Sequence, residues 1–209
     1  MNAKLVTLFN KYPELVECQS SIENSFHAIK QAYESGRKVL LAGNGGSAAD
    51  CEHVVGELMK GFMSKRPLPQ EMKDKLSEVS DGDDYLGNHL QGALPAISLV
   101  SHSALMTAFS NDVAPDMVFA QQVYGYGKAG DVFIGFSTSG NSKNINHALK
   151  VAKALGLVTI GFTGKSGGEL KELCDITISV PFESTPDIQE RHLPIYHTLC
   201  LLLEEAFFE

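Results

Sequence analysis

Residues 40–58 read LLAGNGGSAADCEHVVGEL, an apolar run that passes through three glycines into a segment with helical spacing. Glycine tolerates positive φ angles and lets the backbone approach a ligand closely. A helix that begins near Ser47 would present free N–H groups and a partial positive charge at its N-terminus. The pattern therefore predicts a strand, a glycine-bearing turn and a helix, with an anionic group favoured at the turn.

The same alternation continues through the rest of the chain. Short apolar runs lie at 38–42, 96–100, 132–136, 158–162 and 176–180. Helical patterns lie at about 47–60, 102–109, 142–155, 167–173 and 188–208. Alternating strands and helices favour a parallel sheet that is covered on both faces. We predict an α/β fold, a three-layer sandwich with a five-stranded parallel sheet flanked by helices.

Two segments lie outside this alternation. Residues 1–36 read as helices that are broken near Pro13 and closed by Gly36, and they form an N-terminal helical segment before a main domain at 37–209. Residues 64–94 form a polar insert in which 70–79 has the spacing of one short helix. A long insert of this kind is a surface loop or a lid, and we favour the surface loop.

A second turn of the same type lies at 136–142, where the sequence reads FSTSGNS between a predicted strand and a predicted helix. Hydroxyl and N–H groups at a helix N-terminus can hold a phosphate without a lysine. Either turn alone is equally well explained as an ordinary βα turn with a serine cap. Two such turns at the carboxyl ends of parallel strands favour a ligand site. The candidate contacts are Asn44, Gly45, Gly46, Ser47, Ser137, Thr138, Ser139 and Ser142.

Composition and motifs exclude several function classes. The net charge is −8 and no Lys/Arg run exceeds two residues, so we expect no direct binding to nucleic acid. No apolar run approaches the ~20 residues that a membrane helix needs, so we expect no membrane partner. The first turn lacks the third glycine of a dinucleotide-binding motif, and Gly164–Lys165–Ser166 lacks the earlier glycine of a P-loop.

The cysteines and the N-terminus predict the compartment. The four cysteines are widely spaced and contain no CxxC pair, which is typical of reduced thiols. The N-terminus has no signal-peptide pattern, because Asn, Lys, Tyr and Pro interrupt its apolar residues. We therefore expect a cytoplasmic protein.

The predicted helix after the first turn carries His53 and Glu57 at i, i+4, so one face presents an imidazole and a carboxylate. Taken alone, this pair is more often a plain surface contact. Near the C-terminus, residues 187–197 add further candidate ligands, Gln189, Glu190, His192 and His197. Mixed nitrogen and oxygen ligands from two helices suit Zn²⁺ or a similar divalent ion.

Spacing alone does not choose between the two C-terminal histidines. Gln189 and His197 are eight residues apart and can share one helix face, whereas His192 and His197 are five apart and share it poorly. Pro194 removes one helical N–H, so it either kinks this segment or starts a new helix. The choice between His192 and His197 therefore stays open from the residues themselves.

Five stretches in order resemble the sugar isomerase (SIS) domain family and, within it, the phosphoheptose isomerases. They are GNGGSAADCEHVVGEL, SHSALMTAFSND, GDVFIGFSTSGNSKNI, TIGFTGKSGG and IQERHLPIYH. The resemblance runs from about Lys38 to the C-terminus. It implies conversion of D-sedoheptulose 7-phosphate to D-glycero-D-manno-heptose 7-phosphate for lipopolysaccharide, capsule or S-layer glycans. It also implies a homotetramer with shared active sites, in which the N-terminal helices take part in assembly.

The resemblance also assigns roles to individual residues. It implies one zinc ion per subunit, held by His53, Glu57, Gln189 and His197, and it places the phosphorylated sugar on the two turns and on Gln189. Ketose–aldose isomerisation needs a base at carbon and an acid at oxygen. We assign Glu57 as the base and His197 as its acid partner, while the reading in which both are only metal ligands stays open.

Three departures from the family pattern bear on the substrate. Leu99 stands where these isomerases usually carry a substrate-contacting Asp, Pro186 stands where they usually have an Asp, and the insert at 64–94 is longer than usual. An isomerase of another phosphosugar is therefore one alternative. A non-catalytic SIS-domain binding protein, of the replication-initiator-binding type, is another. In such a protein we would expect the metal and acid/base residues to be eroded, and here they are complete, which favours the enzyme.

Overall fold

The computed structural model describes residues 2–209 and contains one five-stranded sheet in which all pairings are parallel. The strands are β1 (Val39–Ala42), β2 (Ala96–Ser98), β3 (Val132–Phe136), β4 (Val158–Thr163) and β5 (Ile176–Ser179). The predicted α/β sandwich is confirmed, and each predicted apolar run contains one strand.

Within residues 2–209, ten α-helices surround or extend the sheet. They are α1 (Ala3–Lys11), α2 (Gln19–Glu34), α3 (Gly46–Met59), α4 (Gln70–Val79), α5 (Tyr85–His89), α6 (Ser103–Asp112), α7 (Val118–Tyr126), α8 (Lys143–Ala154), α9 (Gly168–Leu173) and α10 (Thr185–Phe208). No sequence pattern predicted α5 and α7. Helix α7 buries an almost continuous run from Val118 to Val123, so it lacks the one-sided pattern by which surface helices are recognised.

The strand order β2-β1-β3-β4-β5 determines where the chain changes direction across the sheet. From β1 the chain crosses outward to β2 and then returns to add β3 on the other side of β1. The loops that follow β1 and β3 therefore diverge at the carboxyl edge of the sheet. In open α/β sheets this crevice between neighbouring strands is where ligands bind.

The two faces of the sheet bury separate cores. Alternate residues of β1 point to opposite faces, so that Leu41 packs on the side of α1, α2, α3 and α10, whereas Leu40 packs on the side of α7 and α8. Helices α3 and α10 consequently lie on the same face, where Val54 and Leu199 are both buried. This shared face brings the two predicted ligand-bearing segments together.

The N-terminal residues add to that first core. A 3₁₀ helix at Pro13–Cys18 separates α1 from α2, as the break near Pro13 predicted, and Gly36 ends the segment at φ 67°. Leu5, Leu8 and Ile22 are buried in the same cluster as α3 and α10.

No helix within residues 2–209 has both the length and the apolar character needed to cross a bilayer.

The insert at 64–94 is a surface excursion with two short helices. An antiparallel bridge between Pro67 and Gln91 closes its base. Helix α4 occupies the predicted 70–79 range and has no buried residue.

Helix α10 runs without interruption through Pro194, whose carbonyl accepts a 2.8 Å hydrogen bond from the Thr198 hydroxyl.

Candidate active site

The turns after β1 and β3 lie side by side because their strands are neighbours in the sheet. A reciprocal pair of amide hydrogen bonds joins them: Asn44 donates to Asn144 at 3.0 Å and accepts from it at 2.9 Å. Asn144 lies in the first turn of α8, so the pair connects the start of one helix to the loop before another. The two predicted phosphate-binding turns therefore form one continuous surface.

Close packing shapes the first turn. A side chain at Gly43 would bring a Cβ within 2.5 Å of the Ser47 carbonyl oxygen, so only glycine fits there. Gly45 has φ 58° and ψ −122°, a conformation that strongly favours glycine. The Ser47 N–H bonds to the Asn44 carbonyl at 3.1 Å, and Ser47 is buried in the first turn of α3. The N-terminus of α3 is thus directed at the crevice.

Hydroxyl groups shape the second turn. The Ser137 and Ser142 hydroxyls lie 2.9 Å apart, and the Gly140 N–H bonds to the Ser137 carbonyl at 3.0 Å. The exposed Ser139 hydroxyl accepts a 3.2 Å bond from Asn141 N–H. The Thr138 carbonyl accepts from the backbone, whereas its hydroxyl has no hydrogen-bond partner among residues 2–209.

A second group of side chains lies farther along α3 and α10. His53 Nε2 is 3.3 Å from His197 Nε2 and 3.3 Å from the Glu57 carboxylate. The Phe62 ring lies 5.3 Å from the His197 ring, centroid to centroid. Burial and the neighbouring His53 lower the pKa of His197. The structure therefore brings together three of the four predicted metal ligands.

Two of the three distances between the ligand atoms of this cluster fit a divalent cation. Tetrahedral Zn²⁺ with bonds of about 2.0–2.1 Å places neighbouring ligand atoms about 3.3–3.4 Å apart. Both distances from His53 Nε2 match this value. Glu57 and His197 form no ion pair with each other, and residues 2–209 contain no complete site of three His, Cys, Asp or Glu side chains. Ligation by all three thus requires Glu57 or His197 to shift.

Gln189 does not join this cluster in the structure. Its side-chain amide lies over Gly46, where an added Cβ would come within 2.7 Å of the amide nitrogen. The eight residues from Gln189 to His197 extend about 12 Å along α10, since each helical residue rises about 1.5 Å. Gln189 therefore faces the phosphate-binding turns, and its assignment as a fourth ligand stays a prediction.

His192 occupies a different environment from His197. It is fully buried, its Nε2 lies 3.3 Å from the Thr163 carbonyl oxygen, and the Phe162 ring packs against it. Burial lowers the pKa of His192 to about 4. His192 is therefore a neutral core residue, while the exposed Glu190 pairs with Arg191 instead of facing the cluster.

The structure also shows a buried ion pair that the sequence analysis did not find. Arg66 and Glu204 are both about 1% exposed, and Arg66 Nε donates to Glu204 at 2.8 Å. Arg66 also donates to the carbonyls of Leu58 at 2.8 Å and Glu57 at 3.0 Å, which end helix α3. This pair connects the C-terminal end of α3 to α10. Its 138-residue separation in the chain gives no local sequence signal.

The departures at Leu99 and Pro186 have different structural settings. Leu99 is fully buried in the core between the sheet and α7, so its side chain does not reach the crevice. Pro186 lies in the first turn of α10, where a missing N–H carries no penalty.

A cleft of about 380 Å³ adjoins the turn after β1, and near it the Ser101 hydroxyl donates to Glu52 at 2.7 Å.

Known proteins with similar sequences and folds include phosphoheptose isomerases. The family model described as the SIS domain matches residues 90–164. A phosphoheptose isomerase from Clostridium acetobutylicum is 43% identical over 187 residues, which cover 90% of this chain and 83% of the relative. The structure of a phosphoheptose isomerase from Francisella tularensis has a TM-score of 0.75 at 29% identity and covers 98% of this chain and 100% of the other. That from Neisseria gonorrhoeae has a TM-score of 0.70 at 28% identity, with 96% and 98% covered.

Proposed function

The chain belongs to the phosphoheptose isomerases of the SIS-domain family, enzymes that isomerise a sugar phosphate, and we propose that it interconverts D-sedoheptulose 7-phosphate and D-glycero-D-manno-heptose 7-phosphate. The phosphate is held by the two turns after β1 and β3, through backbone N–H groups, hydroxyls and the N-terminus of α3. The isomerised carbons lie at the cluster of His53, Glu57 and His197.

The observation that carries this proposal is the placement of both groups along helix α3. Gly46 at its N-terminus belongs to the first turn, and His53 lies seven residues farther on. At about 1.5 Å per residue, these positions are about 10 Å apart along the helix axis. That separation is comparable to the length of an extended sugar phosphate, so one substrate can contact both groups.

The chemistry at the cluster is a proton transfer between adjacent carbons. Glu57 takes the proton from the carbon next to the carbonyl, and His197 supplies a proton to the carbonyl oxygen, so that an enediol forms. The side chain of Glu57 is 14% exposed and that of His53 is 41% exposed, so the base is shielded from water. Reversal of these steps on the other carbon completes the isomerisation.

We further propose one Zn²⁺ per subunit, held by His53, Glu57 and His197, with Gln189 as the fourth ligand after a shift toward the cluster. The 3.3 Å spacings around His53 Nε2 support this donor set. When bound, the ion supplies a Lewis acid that stabilises negative charge developing on the substrate oxygens.

The assembly and the compartment are also proposals. We propose a homotetramer with shared active sites, in which residues 1–36 take part in assembly. An open groove of about 340 Å³ between α1 and α10 reaches His197 and supports the approach of a neighbouring subunit there. The four cysteines are free thiols, which supports a reducing, cytoplasmic location.

The test is incubation of the zinc-loaded protein with sedoheptulose 7-phosphate and, separately, with other ketose and aldose phosphates in D₂O, followed by NMR. We expect product from the heptulose phosphate and deuterium at the carbon next to the carbonyl. Turnover of a different phosphosugar with none of the heptulose phosphate would replace the proposed substrate but keep the isomerase chemistry. No deuterium in any phosphosugar would contradict the proposed proton transfer.

A further inference from the structure

The Tyr196 hydroxyl lies between a carboxylate and one of the proposed metal ligands. It is 3.0 Å from Asp50 Oδ1 and 3.1 Å from His53 Nδ1, and the Tyr196 and His53 rings meet edge to face at 5.5 Å. Asp50 and His53 are three residues apart on α3, so both face the same side of α10. The Tyr196 ring is buried, which fixes the position of the hydroxyl.

The Tyr196 hydroxyl has only one proton to donate but two polar neighbours. Its proton can therefore bond to only one of them, and the other must donate to the Tyr196 oxygen. An ionised Asp50 only accepts hydrogen bonds, so the Tyr196 hydroxyl donates to it. The remaining contact, to His53 Nδ1, is then a hydrogen bond only if Nδ1 carries the proton and donates to the Tyr196 oxygen. In the neutral imidazole, His53 Nε2 then carries no proton on the side that faces Glu57 and His197.

We propose that Asp50 and Tyr196 are positioning residues that hold His53 in the Nδ1–H tautomer and so keep its Nε2 lone pair available to a metal ion. This inference rests on the proposed metal site. Asp50 and Tyr196 lie outside the proposed ligand set, but they determine the tautomer and the ring orientation of His53. The metal-binding histidines of other proteins usually have such a partner on the second ring nitrogen.

The cluster itself favours this assignment. With Nδ1 protonated, His53 Nε2 presents a lone pair to a carboxylate at 3.3 Å and to a second imidazole nitrogen at 3.3 Å. This lone pair and the Glu57 carboxylate repel each other at this spacing unless a cation or a proton lies between them. The Asp50–Tyr196 contact thus creates an electron-rich position that a divalent cation satisfies.

The chain offers a matched control for the Tyr196 hydroxyl. Tyr33 is also a buried tyrosine, but its hydroxyl has no hydrogen-bond partner in the described chain. The Tyr33 ring packs against Phe207, away from His53. Tyr33→Phe therefore removes a buried hydroxyl in the same way as Tyr196→Phe and leaves the contact to His53 intact.

The first measurement is Zn²⁺ affinity, by competition with a chromophoric chelator. Loss of an outer partner of a metal-binding histidine typically weakens binding about 10–100-fold. We expect a loss in this range for Tyr196→Phe and no loss for Tyr33→Phe. Tight zinc binding by the wild type with equal affinity in Tyr196→Phe would overturn the inference while leaving the metal site in place.

The second measurement determines the tautomer of His53 in the absence of metal. Long-range ¹H–¹⁵N correlation spectra of the metal-free, full-length protein distinguish protonated from unprotonated imidazole nitrogens. We expect the His53 proton on Nδ1 in the wild type and in Tyr33→Phe, and a mixture of tautomers in Tyr196→Phe. A wild-type proton on Nε2 would overturn the inference. If the wild type binds no zinc, the proposed metal site fails, and this spectrum still decides the role of Tyr196.

Discussion

The turns after β1 and β3 and the facing sides of α3 and α10 belong to one crevice but are built differently. The turns use backbone groups, hydroxyls and amides, and the Asn44–Asn144 pair that joins them is uncharged. The helix pair uses imidazoles and carboxylates, and a buried ion pair connects its two members. The proposed substrate contacts thus depend on backbone geometry that neutral residues fix locally, whereas the proposed catalytic cluster depends on the packing of distant helices.

The ion pair shows how much the helix region depends on tertiary contacts. Glu204 accepts hydrogen bonds from the backbone N–H groups of Phe62, Met63 and Ser64, at 2.8 to 3.1 Å, in addition to that from Arg66. Burial by itself raises the pKa of Glu204, but these N–H donors and Arg66 lower it overall, so the carboxylate is ionised at neutral pH. One carboxylate on α10 therefore holds the end of the helix that carries Glu57.

The largest effect that we predict is a loss of turnover, and it distinguishes a role in catalysis from a role in substrate binding. Glu57→Gln keeps the size of the side chain and an oxygen, but an amide does not accept a carbon-bound proton. We expect turnover to fall by about 10²–10⁴-fold, the usual contribution of general acid–base catalysis, while phosphosugar binding at the turns is retained. Turnover and substrate affinity are measured separately, under saturating zinc.

The control for this variant is Glu71→Gln, which changes a helical glutamate that pairs with Lys75 on α4, outside the crevice. It should leave turnover unchanged. Near-wild-type turnover of Glu57→Gln once zinc is added would show that Glu57 is only a metal ligand and not also the base.

The next effect concerns the stability of the helix region. Glu204→Gln removes the carboxylate and leaves the Arg66 guanidinium buried without a counter-charge. Breaking a buried pair from one side typically costs about 3–5 kcal/mol of unfolding free energy. We expect a decrease of this size in urea unfolding, together with a loss of turnover caused by disorder at the end of α3.

Glu205→Gln is the matched control, because the neighbouring residue forms a partly solvent-exposed ion pair with Lys4. Exposed pairs contribute little to stability, so this variant should unfold like the wild type. Equal stability of the two variants would mean that the buried pair does not hold the helices together.

The smallest effect is predicted at the turns, where each donor is one of several. Thr138→Val removes a hydroxyl and keeps the shape of the side chain. A lost hydrogen bond to a charged group costs about 1.5–3 kcal/mol, so phosphosugar affinity should fall roughly tenfold or more without a change in zinc content. Thr177→Val, on the edge strand β5, is the control and should bind normally. Unchanged affinity in Thr138→Val would place the phosphate elsewhere.

The sequence by itself determined the strands, most of the helices and the composition of both turns. These features depend on residues that are close in the chain. Short apolar runs predicted the five strands, the glycines at 43, 45, 46 and 140 predicted the turns, and the i, i+4 spacing put His53 and Glu57 on one helix face. Helix α7 was missed because it is buried on most sides and so shows no amphipathic period.

Only the tertiary structure decided which distant side chains meet. Tyr196 and Asp50 are 146 residues apart in the chain, and Arg66 and Glu204 are 138 apart. The parallel packing of α3 and α10 on one face of the sheet turns His197 toward His53 and His192 into the core. A five-residue step along a helix changes the facing direction by about 140°, and the sequence contains no local signal for the direction in which the partner helix lies.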